Sequence, residues 1–406
     1  MTALHRNPTA VALIAGAIFA LGLGVRQSQA LFIGPINSST GIGYASISFA
    51  FAVGQLMWGI TMPLAGALAD RYSARSVMVT GALMVSVATA LTPLAHSTAA
   101  LVVLIGLVAA VGAGAMGPGL IMSALARWVP EAKRSVATGI VNAGGSFGQF
   151  TVIPLAGLFI GLTGWQPAMV IMGIISLGAI PAILWVTQAA PAPSAAGAHT
   201  PKPTGTLKEA VGTAFRDPSF LLLTAGFFTC GFHVAFIATH LPGVVALCGL
   251  PTAVSAWSLA LIGLFNIFGS LWVGKFVTGR RMKTTLAGIY FARALIILIF
   301  FLSPKTTLTF LLFAAAIGFS YLSTVPPTIG LVIKFFGPRY VATLFGIVML
   351  SHQIGGFLGA YLGGKAFEST GNYDWMWFAD IALCLFAAAV HLPIRETKPA
   401  MVAAAA

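Results

Sequence analysis

The sequence predicts an all-α integral membrane protein of twelve transmembrane helices in two pseudo-symmetric six-helix bundles. Three observations carry the prediction: too few charges for a water-soluble surface, long apolar runs at regular spacing, and a repeat that relates the two halves. Of 406 residues, 58% are hydrophobic and only 7% charged, against about 25% charged in soluble domains. A soluble fold so poor in charge would expose large apolar patches and aggregate, so lipid must solvate much of the surface. That excludes a soluble multidomain enzyme. A β-barrel is excluded as well, because its strands alternate apolar and polar residues over about ten positions and these runs do not alternate.

A spanning helix needs about 20 apolar residues. Apolar segments run near 10–35, 44–69, 77–95, 99–126, 135–161 and 165–187, and again near 219–246, 252–277, 284–302, 306–333, 340–365 and 374–393. Between the two sets lies a stretch rich in Pro, Ala and Thr (AAPAPSAAGAHTPKPTGT), with Lys202, Lys208 and Arg216. That composition makes a linker rather than a span. The expected organisation is a first bundle over 1–187, a cytoplasmic linker over 188–218 and a second bundle over 219–406.

The chain carries 21 Lys and Arg against 8 Asp and Glu, a net charge of +13. In a soluble protein that excess would suggest nucleic acid. Here it reports orientation, because cytoplasmic loops collect Lys and Arg. With the N-terminus inside, Lys305 and Lys365 fall on outer loops and Arg26 and Arg293 within spans; every other basic residue falls on inner loops, tails or the linker. Both termini are therefore expected in the cytoplasm, with the lipid bilayer as surroundings and no nucleic-acid partner. Cys230, Cys248 and Cys384 sit in apolar runs without a shared spacing, so no disulfide framework and no metal site is indicated.

The halves match at one constant offset. Gly24, Arg26 and Pro35 fall on Gly231, His233 and Pro242; Arg127 falls on Lys334; Gly139-Ile140-Val141 falls on Gly346-Ile347-Val348; Gly148 falls on Gly355, and Thr163-Gly164 on Thr370-Gly371. A duplicated six-span bundle is the architecture of a rocking transporter, with its site at mid-membrane where the halves meet. The repeat also bears on the N-terminus. Residues 10–25 followed by Ser28-Gln29-Ala30 look like a secretory signal with its cleavage site. They have an internal counterpart in the second half, so they are read as a span.

Polar groups at membrane depth nominate a site. Arg26 lies about 16 residues into segment 1, roughly 24 Å at 1.5 Å per residue. A charge there costs at least about 2.5–3.5 kcal/mol on the insertion scale, so it must meet a watery cavity, a partner or a substrate. No acid of the first half lies at similar depth. A guanidinium without an internal partner suits a carboxylate, because its fork matches two oxygens. His233, the repeat counterpart of Arg26, shares a helical face with Thr229, Phe236 and His240. It is expected opposite Arg26, able to hydrogen-bond a carboxylate and carry a proton. Asn142, Ser146 and Gln149 fall on one face of segment 5. His352 and Gln353 lie in segment 11, Asn266 in segment 8, and Tyr321, Ser323 and Thr324 precede Pro326-Pro327 in segment 10. Paired prolines interrupt a helix where freed carbonyls find partners, often beside a cavity. The expected substrate contacts are Arg26, His233, Gln29, Asn142, Gln149, Tyr321, His352 and Asn266. The expected proton carriers are His233, His240 and His352. Arg293 and Asp380 lie at matching depth in segments 9 and 12, and a structural ion pair between them is expected.

The loop after segment 2 reads Gly66-Ala-Leu-Ala-Asp70-Arg71-Tyr-Ser-Ala-Arg75, with a degenerate second copy from Gly274-Lys275 through Arg280, Arg281 and Lys283. It resembles the G-x-x-x-D-R-x-G-x-R motif of the major facilitator superfamily, with Ser73 in place of one Gly. The resemblance implies the major facilitator fold and a gating role for Asp70, Arg71 and Arg75. Within that superfamily the chain resembles the bacterial branch related to monocarboxylate and oxalate–formate transporters. The resemblance rests on Arg26, on GAGAMGPG in segment 4 and on NAGGSFGQ in segment 5. It departs in segment 8, where that branch often carries a substrate-binding Arg and this chain has Asn266.

The leading expectation is thus a secondary transporter of small organic anions by alternating access, proton-linked, acting as a monomer in a bacterial inner membrane without a cofactor. Anion exchange is the other form of coupling that fits. Drug efflux is disfavoured by the lack of a cavity acid. Copper uptake would rest on Cys230 and His233, three residues apart, joined by Met116 or His352, a soft ligand set. No nucleophile and base constellation points to an enzyme.

Overall fold

The computed structural model describes residues 7–125, 128–130, 133–188, 207–337 and 340–396. Most of the expected linker, 189–206, and the basic residues Arg6, Arg127, Lys202, Arg339 and Lys398 lie outside the described residues. Twelve helices are long and apolar enough to cross a bilayer: α1 Pro8–Thr40, α2 Tyr44–Arg71, α3 Ala74–Leu94, α4 Thr98–Leu125, α5 Val136–Thr163, α6 Trp165–Val186, α7 Pro218–Leu247, α8 Thr252–Phe276, α9 Met282–Leu302, α10 Thr307–Phe336, α11 Val341–Thr370 and α12 Asp374–His391. The described residues contain no strand. A short helix, Leu207–Arg216, leads into α7.

Local chemistry sets the helix ends. The side chains of Asn7, Ser73, Ser97, Asp217 and Thr306 each accept a hydrogen bond from a backbone N–H of the first turn, satisfying donors that the helix cannot. Gly164 and Gly371, which the repeat equates, stop α5 and α11 with positive φ of 82° and 71°, a conformation glycine adopts without a Cβ penalty.

The repeat has a physical cause at the helix crossings. In the first bundle α1 packs on α5, and a Cβ on Gly24 would lie 2.7 Å from the Gly148 carbonyl oxygen. In the second bundle α7 packs on α11, where a Cβ on Gly231 would fall onto the His352 carbonyl and one on Gly355 onto the Phe228 carbonyl. Lipid tails are as apolar as leucine, so association in a bilayer relies on close backbone approach rather than on burial from water. The glycines shared by the two halves are the ones that permit it.

Three of the irregular spans border the cavity. α1 tightens into a 3-10 turn at Gln29–Phe32. α4 widens into a π-helix over Val102–Ala109 and breaks between Ala115 and Pro118. α10 breaks between Ser320 and Val325. Irregular backbone at membrane depth is tolerated where protein covers it or a cavity opens beside it, and all three stretches contribute to the wall of the central cavity.

The bundles meet along α2 with α11 and along α5 with α8. The seam is closed at one end, where Tyr44 packs on Phe367 at 4.4 Å between ring centroids and a Cβ on Gly157 would sit 2.9 Å from the Ala256 Cβ. Towards the other end, which carries the Asp70–Arg75 loop, the cavity wall includes Met62, Gly139, Leu271 and Ile329. A Cβ on Gly139 would meet nothing within 4 Å.

Candidate functional site

The central cavity has a volume of about 620 Å³. Most of its wall is apolar, with Phe19, Leu23, Phe51, Phe227, Phe345 and Met349. Among the described residues Arg26 is the one Lys, Arg, Asp or Glu on that wall. Its guanidinium donates to Gln55 Oε1 at 2.5 Å and lies 4.8 Å from the centre of the Trp58 ring. Gln55 in turn donates across the seam to Gln353 Oε1 at 3.0 Å. The cation is therefore held by a neutral amide and a ring face, with no carboxylate neutralising it. Such an arrangement leaves the charge available to an incoming anion.

Gln29, Asn142, Gln149, Asn266, Tyr321 and His352 also reach this wall. Several are already engaged with protein. Gln29 donates to Thr89 Oγ1 at 3.3 Å, Gln149 to the Leu259 carbonyl at 3.1 Å and Tyr321 to the Val234 carbonyl at 2.8 Å. Asn266 donates to Ser146 Oγ at 2.9 Å and accepts from Leu322 N–H at 3.0 Å, which ties α8 to α5 and to the break in α10. Asn142 is exposed on the wall. His352 keeps a buried Nδ1 without a partner.

Two expectations need correction. His233 does not face Arg26. It is wholly buried, off the cavity wall, and its Nδ1 lies 2.7 Å from Asp380 Oδ2 on α12. The cavity face of α7 is formed instead by Val234, Ala235, Ala238 and Thr239. The repeat conserves the backbone position, but a long arginine reaches round to α2 while a short imidazole bonds the nearest acceptor. Nor do Arg293 and Asp380 pair. Among the described residues the ion pairs are His233–Asp380 and Lys334–Glu396. Arg293 donates to the Ser320 carbonyl, to the Tyr321 carbonyl at 2.7 Å and to Cys230 Sγ at 3.6 Å. The break in α10 frees those carbonyls at the end of a helix, where a cation is favoured.

His240 also lies off the main wall. It bonds the Ala360 carbonyl at 2.7 Å and packs on Tyr373, beside a second cavity of about 100 Å³ near the closed end. Asp70, Arg71 and Arg75 are exposed at the end of α2 and the start of α3, and none pairs with an oppositely charged side chain among the described residues. Arg71 lies 5.6 Å from the Tyr72 ring centre.

Metal binding can be judged from geometry. His233, Asp380 and Cys384 offer ligand-type atoms within 4.8 Å of one another. Ligand atoms about 2.0–2.2 Å from a tetrahedral ion stand more than 3 Å apart, whereas His233 Nδ1 and Asp380 Oδ2 touch at 2.7 Å. The pair suits a shared proton and leaves no seat for an ion. The Arg293 guanidinium beside Cys230 likewise repels a metal cation from that thiol.

Gln55, Trp58 and the role of Asp380 as partner of His233 are absent from the sequence expectations. Gln55 carries a signal in retrospect: it is a single amide in the apolar run of segment 2, three residues before Trp58, a spacing that puts both on one helix face.

Comparison with known proteins agrees with this architecture. The uncharacterized MFS-type transporter YcxA of Bacillus subtilis is 24% identical over 362 residues, covering 88% of each chain. Monocarboxylate transporter 13 of Rattus norvegicus is 25% identical over 368 residues, covering 87% of this chain and 81% of its own. The crystal structure of a bacterial homologue of the human lysosomal transporter Spinster, inward-facing and unoccupied, shares the fold with a TM-score of 0.72 at 18% identity, covering 97% of this chain and 95% of that one. A family model described as Major Facilitator Superfamily matches residues 12–360, and with twelve spans in two like bundles around a central cavity, the chain belongs to that superfamily of membrane transporters.

Proposed function

We propose that this chain carries a small organic anion bearing one carboxylate across a bacterial inner membrane, by alternating access and with a proton. The observation that carries the reading is Arg26, a lone cation without an acid partner among the described residues, on an otherwise uncharged and mostly apolar wall where the bundles meet. One guanidinium pairs with one carboxylate, and the apolar wall suits a hydrocarbon or aryl body better than a second charge. The similarity to a monocarboxylate transporter supports the same class.

The bundles, 1–187 and 219–406, rock about this site. Arg26 fixes the carboxylate, Asn142 and His352 offer further hydrogen bonds, and Gln149, Asn266 and Tyr321 hold the wall in place. A bound carboxylate competes with Gln55 for the guanidinium. It thereby loosens the Arg26–Gln55–Gln353 chain that spans the seam. Asp70, Arg71 and Arg75 gate the open end, finding partners when that end closes. The distribution of Lys and Arg supports a cytoplasmic side for both termini and for the open end, and one chain suffices for the cavity.

The test is uptake of labelled carboxylates into liposomes containing the purified chain, under an imposed pH gradient. Saturable uptake of monocarboxylates, lost in Arg26→Ala and not restored by Arg26→Lys, is the expected result. Movement of organic cations or copper with no carboxylate moved would sink the proposal.

A further inference from the structure

Inside the second bundle, outside the cavity, lies a buried ionisable pair that the anion site does not use. Asp380 is the one carboxylate among the buried side chains of the described residues, and it meets a His233 that is equally inaccessible. After their mutual contact at 2.7 Å, each keeps one buried polar atom without a partner, Nε2 of His233 and Oδ1 of Asp380. Buried polar groups are nearly always satisfied, and those that are not call for an explanation in function. Apolar side chains of the same volume would pack this space at no such cost.

The ionisable and charged groups around the pair come from every neighbouring helix. They are Cys384 on α12, Tyr290 and Arg293 on α9, Tyr321 at the break of α10, Cys230 on α7 itself and, next to Cys230, His352 on α11. Arg293 is the only fixed cation among them. Tyr321 joins the pair to the cavity: its ring stands edge-on to His233 at 6.5 Å between centroids, and it also forms part of the cavity wall. One residue layer thus separates the pair from the anion site. Arg293 holds the backbone of that same layer through the carbonyls of Ser320 and Tyr321.

We propose that His233 and Asp380 form the proton-binding site of this carrier. The proposal rests on the anion reading above and adds the place where the coupled proton sits. In the unloaded pair, neutral His233 donates its Nδ1–H to the Asp380 carboxylate. The loading proton adds to the free Nε2, no bond between heavy atoms changes, and release is the reverse. Among the described residues the charged side chains that are buried or line the cavity are Arg26, Arg293 and Asp380. One organic anion and one proton taken up together leave their summed charge as it was, while either alone changes it. Rearranging a changed charge within a low-dielectric slab is costly, so the doubly loaded and the empty carrier cross and the half-loaded carrier stalls.

The test uses the purified full chain in liposomes and compares two rates, accumulation driven by a pH gradient and exchange at equal pH. In Asp380→Asn the anion-loaded carrier has the charge of the doubly loaded wild type and the empty one does not. Exchange therefore persists, and the ratio of driven accumulation to exchange is expected to fall by about tenfold or more. His233→Gln keeps the carboxylate but loses the proton's seat, and both its rates are expected to fall. Asp380→Glu, which keeps the carboxyl, should restore most of the ratio. A wild-type ratio in Asp380→Asn, or wild-type driven accumulation in His233→Gln, overturns the proposal, and if one variant does not fold the other decides. A second measurement needs no substrate: protons taken up by the detergent-purified chain after an acid pulse, counted with a pH indicator. Wild type should take up about one proton per chain more than Asp380→Asn, and an equal count overturns the proposal. Should no carboxylate move in the wild type, the anion reading falls and the proton count alone judges the pair.

Discussion

Arg26 and His233 hold equivalent positions in the two bundles, each two residues beyond a glycine, Gly24 or Gly231, at which its helix presses on a neighbour's backbone. Their environments differ completely. Arg26 stands on the cavity wall with an amide and an indole beside it, whereas His233 is sealed against Asp380. Duplication preserves what packing needs, the small residues at helix crossings. It leaves the intervening side chains free to diverge in reach, charge and direction. One copy of this position thus faces the central cavity and the other faces into its own bundle.

The contrast breaks most sharply at Arg26. Replacing it with Ala removes a charge-assisted contact worth about 1.5–3 kcal/mol, so transport should fall by roughly 10- to 150-fold, read as the initial rate of carboxylate uptake. Arg26→Lys should recover little, because a point charge lacks the fork that meets two oxygens. If Lys restores the wild-type rate, the site reads charge alone.

The shared part of the comparison is tested at the glycines. A Cβ on Gly24 would lie 2.7 Å from the Gly148 carbonyl oxygen, and one on Gly231 would land on that of His352. Gly24→Val and Gly231→Val should each destabilise the fold by about 1–3 kcal/mol through overpacking, seen as a lower unfolding midpoint in detergent. Gly346→Ala, whose added Cβ meets nothing within 4 Å, should gain about 0.5–1 kcal/mol from helix propensity. An equal loss in all three would show that crossing geometry is not the cause of the repeat.

Much of this was legible in the sequence because it depends on one-dimensional quantities. Span number follows from apolar length. The ends of α5 and α11 follow from a matched Thr-Gly pair. Arg26, Gln29, Asn142, Gln149, Asn266, Tyr321 and His352 do come together on one wall, since each is a polar group in an apolar run and a cavity is where such groups gather. Azimuth was not legible where a helix is enclosed on all sides. The best apolar window of α7 is 72% buried, against 33% in α11, so no lipid-facing stripe betrays its rotation. The helical pattern of α7 therefore points His233 to the wrong face. Depth alone likewise matched Arg293 to Asp380, and only the break in α10 shows which acceptors the guanidinium takes. The contact between Gln55 and Gln353 crosses the seam between halves, and a reading of one helix at a time does not find it.

A milder perturbation sharpens the view of Arg26 as a positioned charge. Gln55→Ala leaves the guanidinium in place beside Trp58 but removes its hydrogen bond and the link to Gln353. A net hydrogen bond is worth about 0.5–1.5 kcal/mol, so half-saturation by substrate should shift by roughly 2- to 12-fold. The shift should be towards tighter binding, because Gln55 competes with the carboxylate for the guanidinium; weaker binding would mean instead that Gln55 aims it. An unchanged half-saturation would remove Gln55 from the site.

The smallest effect belongs to the second ion pair, a counterpart to the buried one. Lys334 meets Glu396 at 2.8 Å with side chains 38% and 10% exposed, while His233 and Asp380 are at 0%. Water screens the first pair, so Lys334→Ala should cost only about 0.2–1 kcal/mol and shrink further in high salt. Glu396 also accepts the Lys283 backbone N–H at 2.8 Å. Glu396→Ala should therefore cost more than Lys334→Ala, because it leaves a half-buried donor unmet as well. The unfolding midpoints of the two variants, taken at low and high salt, separate these contributions. The Lys334 effect should fade with salt and the excess in Glu396→Ala should persist. If both fade together, the tail strand is held by charge alone and the backbone hydrogen bond adds nothing.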